Sequence, residues 1–306
     1  MGRHEGRGLA LVAFSAACFG SIAIAVTIAQ RDGLSLVGVL AWRYALGAAL
    51  LVAFAGGARA AMLSRAAVRP LLVLGVMQAL VAGVSLASLR YIPAATMSFL
   101  FYTYPAWLAV IAAVSGLDRL TLPRIVALVL ALVGITVMVG APGAGEVHPV
   151  GIALALSAAL LYAFYIPLVH TVEQRQGTFA AATYGAAGAA LTFIVAALVA
   201  PERVGALGVP TSIAGWGAVA FLAVFSTAIG FLAFLRGLAI VGPVRTGIVS
   251  TVEPFITAVL AAIILGQRLT PGTIAGGACV AAAVILLQRA SRARAGDTDS
   301  ETSGAT

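Results

Sequence analysis

The sequence predicts an all-α integral membrane protein of ten transmembrane helices, arranged as two inverted five-helix repeats. Composition, the spacing of apolar runs and a duplicated motif carry that prediction. Of 306 residues, 62% are hydrophobic and 9% charged, with a mean hydropathy of +1.09. This is more apolar surface than one soluble core can hide. A helix needs ~20 mostly apolar residues to cross a bilayer, because backbone groups in lipid must be paired within the segment. Such runs fall at about 8–29, 35–55, 70–89, 93–115, 122–140, 149–170, 179–199, 211–235, 243–265 and 271–288.

The gaps carry turn and charge signals: Gln30-Arg31-Asp32-Gly33, Gly56-Gly57 through Arg69-Pro70, and Ala141-Pro142-Gly143-Ala144-Gly145. The first run is longer than the usual core of a signal peptide and reads as the first span. This divides the chain into a short tail at 1–7, a first copy at 8–140, a second at 149–288, and a polar tail at 289–306 that reads as disordered.

Ten spans put both termini on one side, so arginines can be counted by side. That side holds 13 of them and the other side 4, with Arg43 inside a span. Basic residues stay cytoplasmic, so both termini are expected in the cytoplasm of a multi-pass protein of the cell inner (plasma) membrane.

All 18 basic residues are arginine. With no lysine there is no Schiff base for retinal or pyridoxal phosphate. The net charge of +8 is scattered between apolar runs rather than gathered on a basic face, which argues against nucleic acid. Cys18 and Cys279 lack metal-ligand spacing and read as packing residues. No cofactor or metal is expected.

The two halves repeat. Pro105 followed by Asp118-Arg119-Leu120-Thr121 matches Pro254 followed by Gln267-Arg268-Leu269-Thr270, with a proline-to-threonine spacing of 16 in both. Phe14-Ser15-Ala16-Ala17 likewise resembles Leu156-Ser157-Ala158-Ala159. The offsets, 142 and 149, indicate a duplication of about half the chain. An odd number of spans per copy inverts the second copy, an arrangement common in transporters.

With Arg43-Tyr44-Ala45-Leu46-Gly47 in the second span, a proline midway along the fourth and ninth, and the two loops just quoted, the sequence resembles the EamA-type transporters of the drug/metabolite transporter superfamily over about residues 8–288. The family's usual loop reads Gly-Glu-x-Leu-Thr; here Asp118 and Gln267 stand at the glutamate position. The resemblance implies secondary transport, often export of amino acids or other small metabolites, through a central cavity.

Candidate site residues follow from charge and aromaticity at membrane depth. A charge at the centre of a spanning helix costs roughly 2.5–3.5 kcal/mol, and only Glu253 and Arg43 lie that deep. Glu253 is a candidate proton-coupling carboxylate or a receiver of a substrate ammonium; the structural alternative is neutralisation by Arg43 or Arg245. Arg43 would hold a substrate carboxylate, or cap carbonyls and pair with Glu253. Pro105 and Pro254 are expected to kink the fourth and ninth helices, and Pro254 to leave the Ser250 carbonyl free. Tyr104 stands where the second copy has Glu253. Tyr102 and Trp107 are candidate cavity-wall residues, and Gln78 and Tyr162 are polar candidates on facing spans.

The expected partners are a small-molecule substrate, the lipid bilayer and, where transport is coupled, a proton, with a monomer or homodimer both adequate. A channel would share these features. An intramembrane enzyme would need a catalytic set, and His4, His148 and His170 all fall outside or at the edge of the spans. The orientation has a direct test: a reporter active only in the periplasm, fused to the C-terminus, is expected to be inactive.

Overall fold

The computed structural model describes residues 3–54, 65–115, 121–140 and 147–303. Among them the chain is helical: α1 (Arg3–Gly20), α2 (Ile22–Arg31), α3 (Leu36–Phe54), α4 (Arg65–Ala87), α5 (Ala94–Phe101), α6 (Tyr104–Val114), α7 (Leu122–Gly140), α8 (Pro149–Gln176) and α9 (Thr178–Val199). A short α10 (Pro201–Val204) precedes α11 (Ile213–Phe221), a π-helical stretch over Leu222–Ile229, α12 (Gly230–Ser250), α13 (Glu253–Leu265) and α14 (Pro271–Ser303).

Among the described residues, seven stretches are long and apolar enough to cross a membrane: His4–Arg31, Leu36–Phe54, Leu72–Arg90, Ala94–Ile111, Pro149–Val169, Phe179–Val199 and Ile213–Phe234. Ile125–Val137, Glu253–Leu265 and Pro271–Leu287 are shorter apolar helices. Leu122, Leu198, Val199, Ile213 and Ile263 are each more than 70% exposed. Such a surface needs lipid rather than water against it.

Small residues allow the helices to cross closely. A side chain at Gly75 of α4 would collide with Gly188 of α9, and one at Gly134 of α7 would meet the Gly276 carbonyl of α14. α3 packs on α9, α7 on α14 and α5 on α13.

Three features depart from the sequence reading. Gly230 lies against Cys18, Gly237 against Val12 and Gly8 against Ile240 and Val241, yet Gly20 meets Glu253. The run Gly230–Ser250 therefore descends along α1 and returns, so the turn expected near 236–242 is made within helical backbone. Secondly, Pro105 and Pro254 do not kink continuous helices. Each sits in the first turn of a new helix, after a two-residue turn at Tyr102-Thr103 or Thr251-Val252. A first-turn N–H has no helical partner, so proline costs nothing there. Thirdly, the backbone of α14 stays helical to Ser303, beyond the apolar limit at 288. Asp118, Arg119 and Leu120 lie outside the described residues, as does the side chain of Arg245.

One end of the bundle is tied by the loop after α2. Asp32 accepts hydrogen bonds from the Thr211 N–H at 2.7 Å and the Ser212 N–H at 3.2 Å. Beside it, the Ser35 hydroxyl donates to Ala206 O at 2.6 Å, and Trp42 Nε1 donates to Gly208 O at 3.0 Å. The Ser212 hydroxyl, followed by those backbone N–H groups, holds the Asp32 carboxyl below the usual carboxylate range despite some desolvation.

A depressed folded-state value means stability that is present above the unfolded pKa of about 3.9. It is lost as pH falls through the folded value. Asp32→Asn is therefore expected to lower thermal stability at pH 7, and the gap to wild type to close on strong acidification, as followed by melting in detergent at a series of pH values.

Candidate functional site

The two proline-started helices meet inside the bundle. α5 ends at Phe101 and α6 begins at Tyr104; α12 ends at Ser250 and α13 begins at Glu253. Tyr102, buried in the first break, reaches the second: its Oη is 2.7 Å from Ser250 O and 2.7 Å from Glu253 Oε2. In a continuous helix the Ser250 carbonyl would accept from the residue 254 N–H. Pro254 has none, and the phenol takes its place.

A third interruption packs against these two. α1 and α2 are separated at Ser21, whose hydroxyl donates to Cys18 O at 2.7 Å. The freed Gly20 carbonyl accepts from the Thr257 hydroxyl at 2.9 Å, and the Ser98 hydroxyl lies 3.3 Å from the same Thr257 oxygen. Thr257 sits one turn after Glu253, on the same face of α13.

Tyrosines extend from Glu253 along α6 and α8. Tyr102 and Tyr104 have ring centroids 5.8 Å apart, and Tyr104 meets Tyr162 edge-on at 4.8 Å. Phe101 lies 5.1 Å from Tyr162, which stacks on Tyr165 at 5.8 Å. Tyr162 is within electrostatic reach of both Glu253 and Tyr44. Trp107 is half-buried on α6, and among the described residues no ring contact joins it to this cluster.

Arg43 is buried on α3 and stands apart from Glu253. Its Nε donates to Thr227 Oγ1 at 3.1 Å, and its guanidinium carbon lies 4.9 Å from the centroid of the Tyr44 ring. Thr227 belongs to the π-helical stretch and donates to Leu222 O at 2.9 Å. Such widened turns recur at functional sites. Tyr44 also accepts from Gln78 Nε2 at 3.0 Å and stacks on Phe193 at 6.0 Å.

The structure thus gathers Glu253, Tyr102, Tyr104 and Tyr162 into one cluster. Arg43 and Gln78 form a second, around Tyr44, and among the described residues no ion pair joins Arg43 to Glu253. The sequence reading missed Tyr44, Thr257 and Phe101. The four-residue spacing from Glu253 would have found Thr257. Nothing would have found Tyr44 as a partner of Arg43, since adjacent helical residues do not ordinarily face each other.

The EamA-like transporter family matches this sequence twice, over residues 6–140 and 149–289. The chain belongs to that family. It is accordingly a multi-pass membrane transporter of the drug/metabolite transporter superfamily. A solved structure described only as "Crystal structure of protein" is 18% identical to this EamA-like protein and shares its fold, with a TM-score of 0.64 over 93% of this chain and 97% of that one. No curated protein matches the sequence.

Gly20 is a tight joint of the site. An added Cβ would lie 2.9 Å from Glu253 O, a backbone atom that cannot swing aside. Overpacking of this kind costs about 1–3 kcal/mol. Gly20→Val is expected to lower the melting temperature measurably, whereas Gly6→Ala, where nothing lies within 4 Å, is expected to leave it unchanged.

Proposed function

We propose that this protein is a secondary transporter of the inner membrane, with both termini in the cytoplasm. It exports small amphipathic metabolites such as amino acids by alternating access through a central cavity. In this reading, the seven long apolar stretches and three shorter ones make ten spans, in two inverted five-helix copies. The packing of counterpart helices on each other, α3 on α9, α5 on α13 and α7 on α14, is what a pseudo-two-fold axis in the membrane plane requires.

The observation that carries the reading is the meeting of the two broken helices at Tyr102 and Glu253. Interrupted helices supply backbone groups at membrane depth only where protein or a polar path receives them. A carboxylate within a wall of tyrosines suits a substrate ammonium and an apolar or aromatic side chain. Arg43, reached from there through Tyr162 and Tyr44, would receive a carboxylate. Trp107 and Gln78 extend the wall and its polar edge.

The test is transport by purified protein in proteoliposomes across an amino-acid panel, with and without a pH gradient. Accumulation against a gradient supports a carrier, while flux that only equilibrates would mean a channel. Glu253→Gln is expected to abolish gradient-driven accumulation while expression and melting stay within the range of wild type. Undiminished proton-driven accumulation in that variant would remove Glu253 from coupling.

A further inference from the structure

One oxygen atom permits a count of protons. Tyr102 Oη lies 2.7 Å from both Ser250 O and Glu253 Oε2, distances proper to O–H···O hydrogen bonds. A phenol has one hydrogen and a main-chain carbonyl only accepts. If Glu253 were ionised, two acceptors would compete for that hydrogen and one contact would be an unbonded oxygen pair. Both contacts are satisfied together when Glu253 is a carboxylic acid that donates to Tyr102, while Tyr102 donates to Ser250 O.

We propose that Glu253 carries a proton in this conformation and that Tyr102 is a positioning residue that reads it. While Glu253 is an acid, Tyr102 pins the carbonyl at the second helix break to the first; when Glu253 ionises, the pin is released.

The proton balance is simple. On ionisation the acid proton passes to water, and the phenol hydrogen rotates about its C–O bond toward the carboxylate, where it makes a stronger, charge-assisted bond. Tyr102 stays a neutral phenol. Ser250 O loses its donor and cannot regain one within the helix, because residue 254 is proline. The carbonyl at the second break is thereby freed, while the phenol stays bound to the carboxylate.

Among the described residues, the groups that surround Glu253 leave this hydrogen to decide the matter. Facing it are Tyr102 from the first break, Tyr104 from α6 and Tyr162 from α8. α5 carries no charged or titratable side chain, and α1 brings only Cys18 near this level. α2 carries none before Arg31 at its far end, eleven residues or about 16 Å from Gly20 on a 1.5 Å rise. Arg43 is engaged by Thr227 and Tyr44.

The role of the pin in a transport cycle rests on the proposed function, but its test needs no substrate. Purified protein in lipid would be titrated by infrared difference spectroscopy and by hydrogen–deuterium exchange corrected for intrinsic rates. Wild type is expected to show a titrating carboxylic-acid C=O band that Glu253→Gln lacks. Tyr102→Phe is expected to shift that band to higher wavenumber, because the acid loses its acceptor.

Exchange at Thr251, Val252 and Glu253 is expected to rise about two- to tenfold as the band disappears, the ratio for losing one neutral hydrogen bond. It should stay slow in Glu253→Gln, whose amide still donates to Tyr102, and fast in Tyr102→Phe. No Glu253-dependent band, a band unmoved by Tyr102→Phe, or exchange alike in all three proteins would overturn the proposal. If Tyr102→Phe does not fold, wild type and Glu253→Gln decide it alone. A failed transport panel with these results intact would sink the transport reading and leave the pin standing.

Discussion

The Tyr102 hydroxyl ties the two helix breaks together, and the arrangement around it follows from one covalent fact, the missing N–H of Pro254. That absence frees the Ser250 carbonyl, and an unpaired carbonyl in a membrane interior costs too much to remain so. The phenol satisfies it from across the bundle, at 2.7 Å. The same oxygen meets Glu253, the residue just before the proline. A backbone requirement and an ionisable group thus share one partner, which is how a proton can act on helix geometry without a large motion at the proton itself.

The two buried charges are handled differently. Arg43 is satisfied locally, by a hydroxyl in a widened turn and by the face of its neighbour's ring. Those partners neutralise nothing; they orient the guanidinium and offset part of its desolvation. Direct pairing with Glu253 would have cancelled both charges and fixed the packing, leaving neither free to change state or partner. Separation by tyrosines keeps both groups available at a standing cost in stability, a trade that sites often make.

Much of this was legible in the sequence, and what was not has physical causes. Pro254, Ser250 and Glu253 could be singled out because lipid penalises both a lost N–H and a charge, and the composition leaves few of either. The matching prolines located the two breaks to within one helical turn. The full interruption at each could not be read, because a proline is compatible both with a kinked helix and with the start of a new one. Tyr102 was readable as an aromatic near a break, but its reach to Ser250 is a tertiary fact, 148 residues away in sequence. The reversal within Gly230–Ser250 was legible as the gap between two apolar runs; that its backbone stays helical, where a turn of irregular structure was expected, was not.

The asymmetry between the copies gives the site its direction. Aligned on their prolines, Tyr104 stands opposite Glu253, Tyr102 opposite Thr251, and Phe101 opposite Ser250. A reciprocal pin would need the residue at 251 to reach the carbonyl at 101. Threonine carries its hydroxyl on Cβ, so its reach is shorter than that of a phenol. One copy therefore supplies the long donor and the other supplies the acid and the freed carbonyl. A perfectly symmetric pair would have two pinned carbonyls and would need two protons lost to free both. With one pinned carbonyl, one proton suffices.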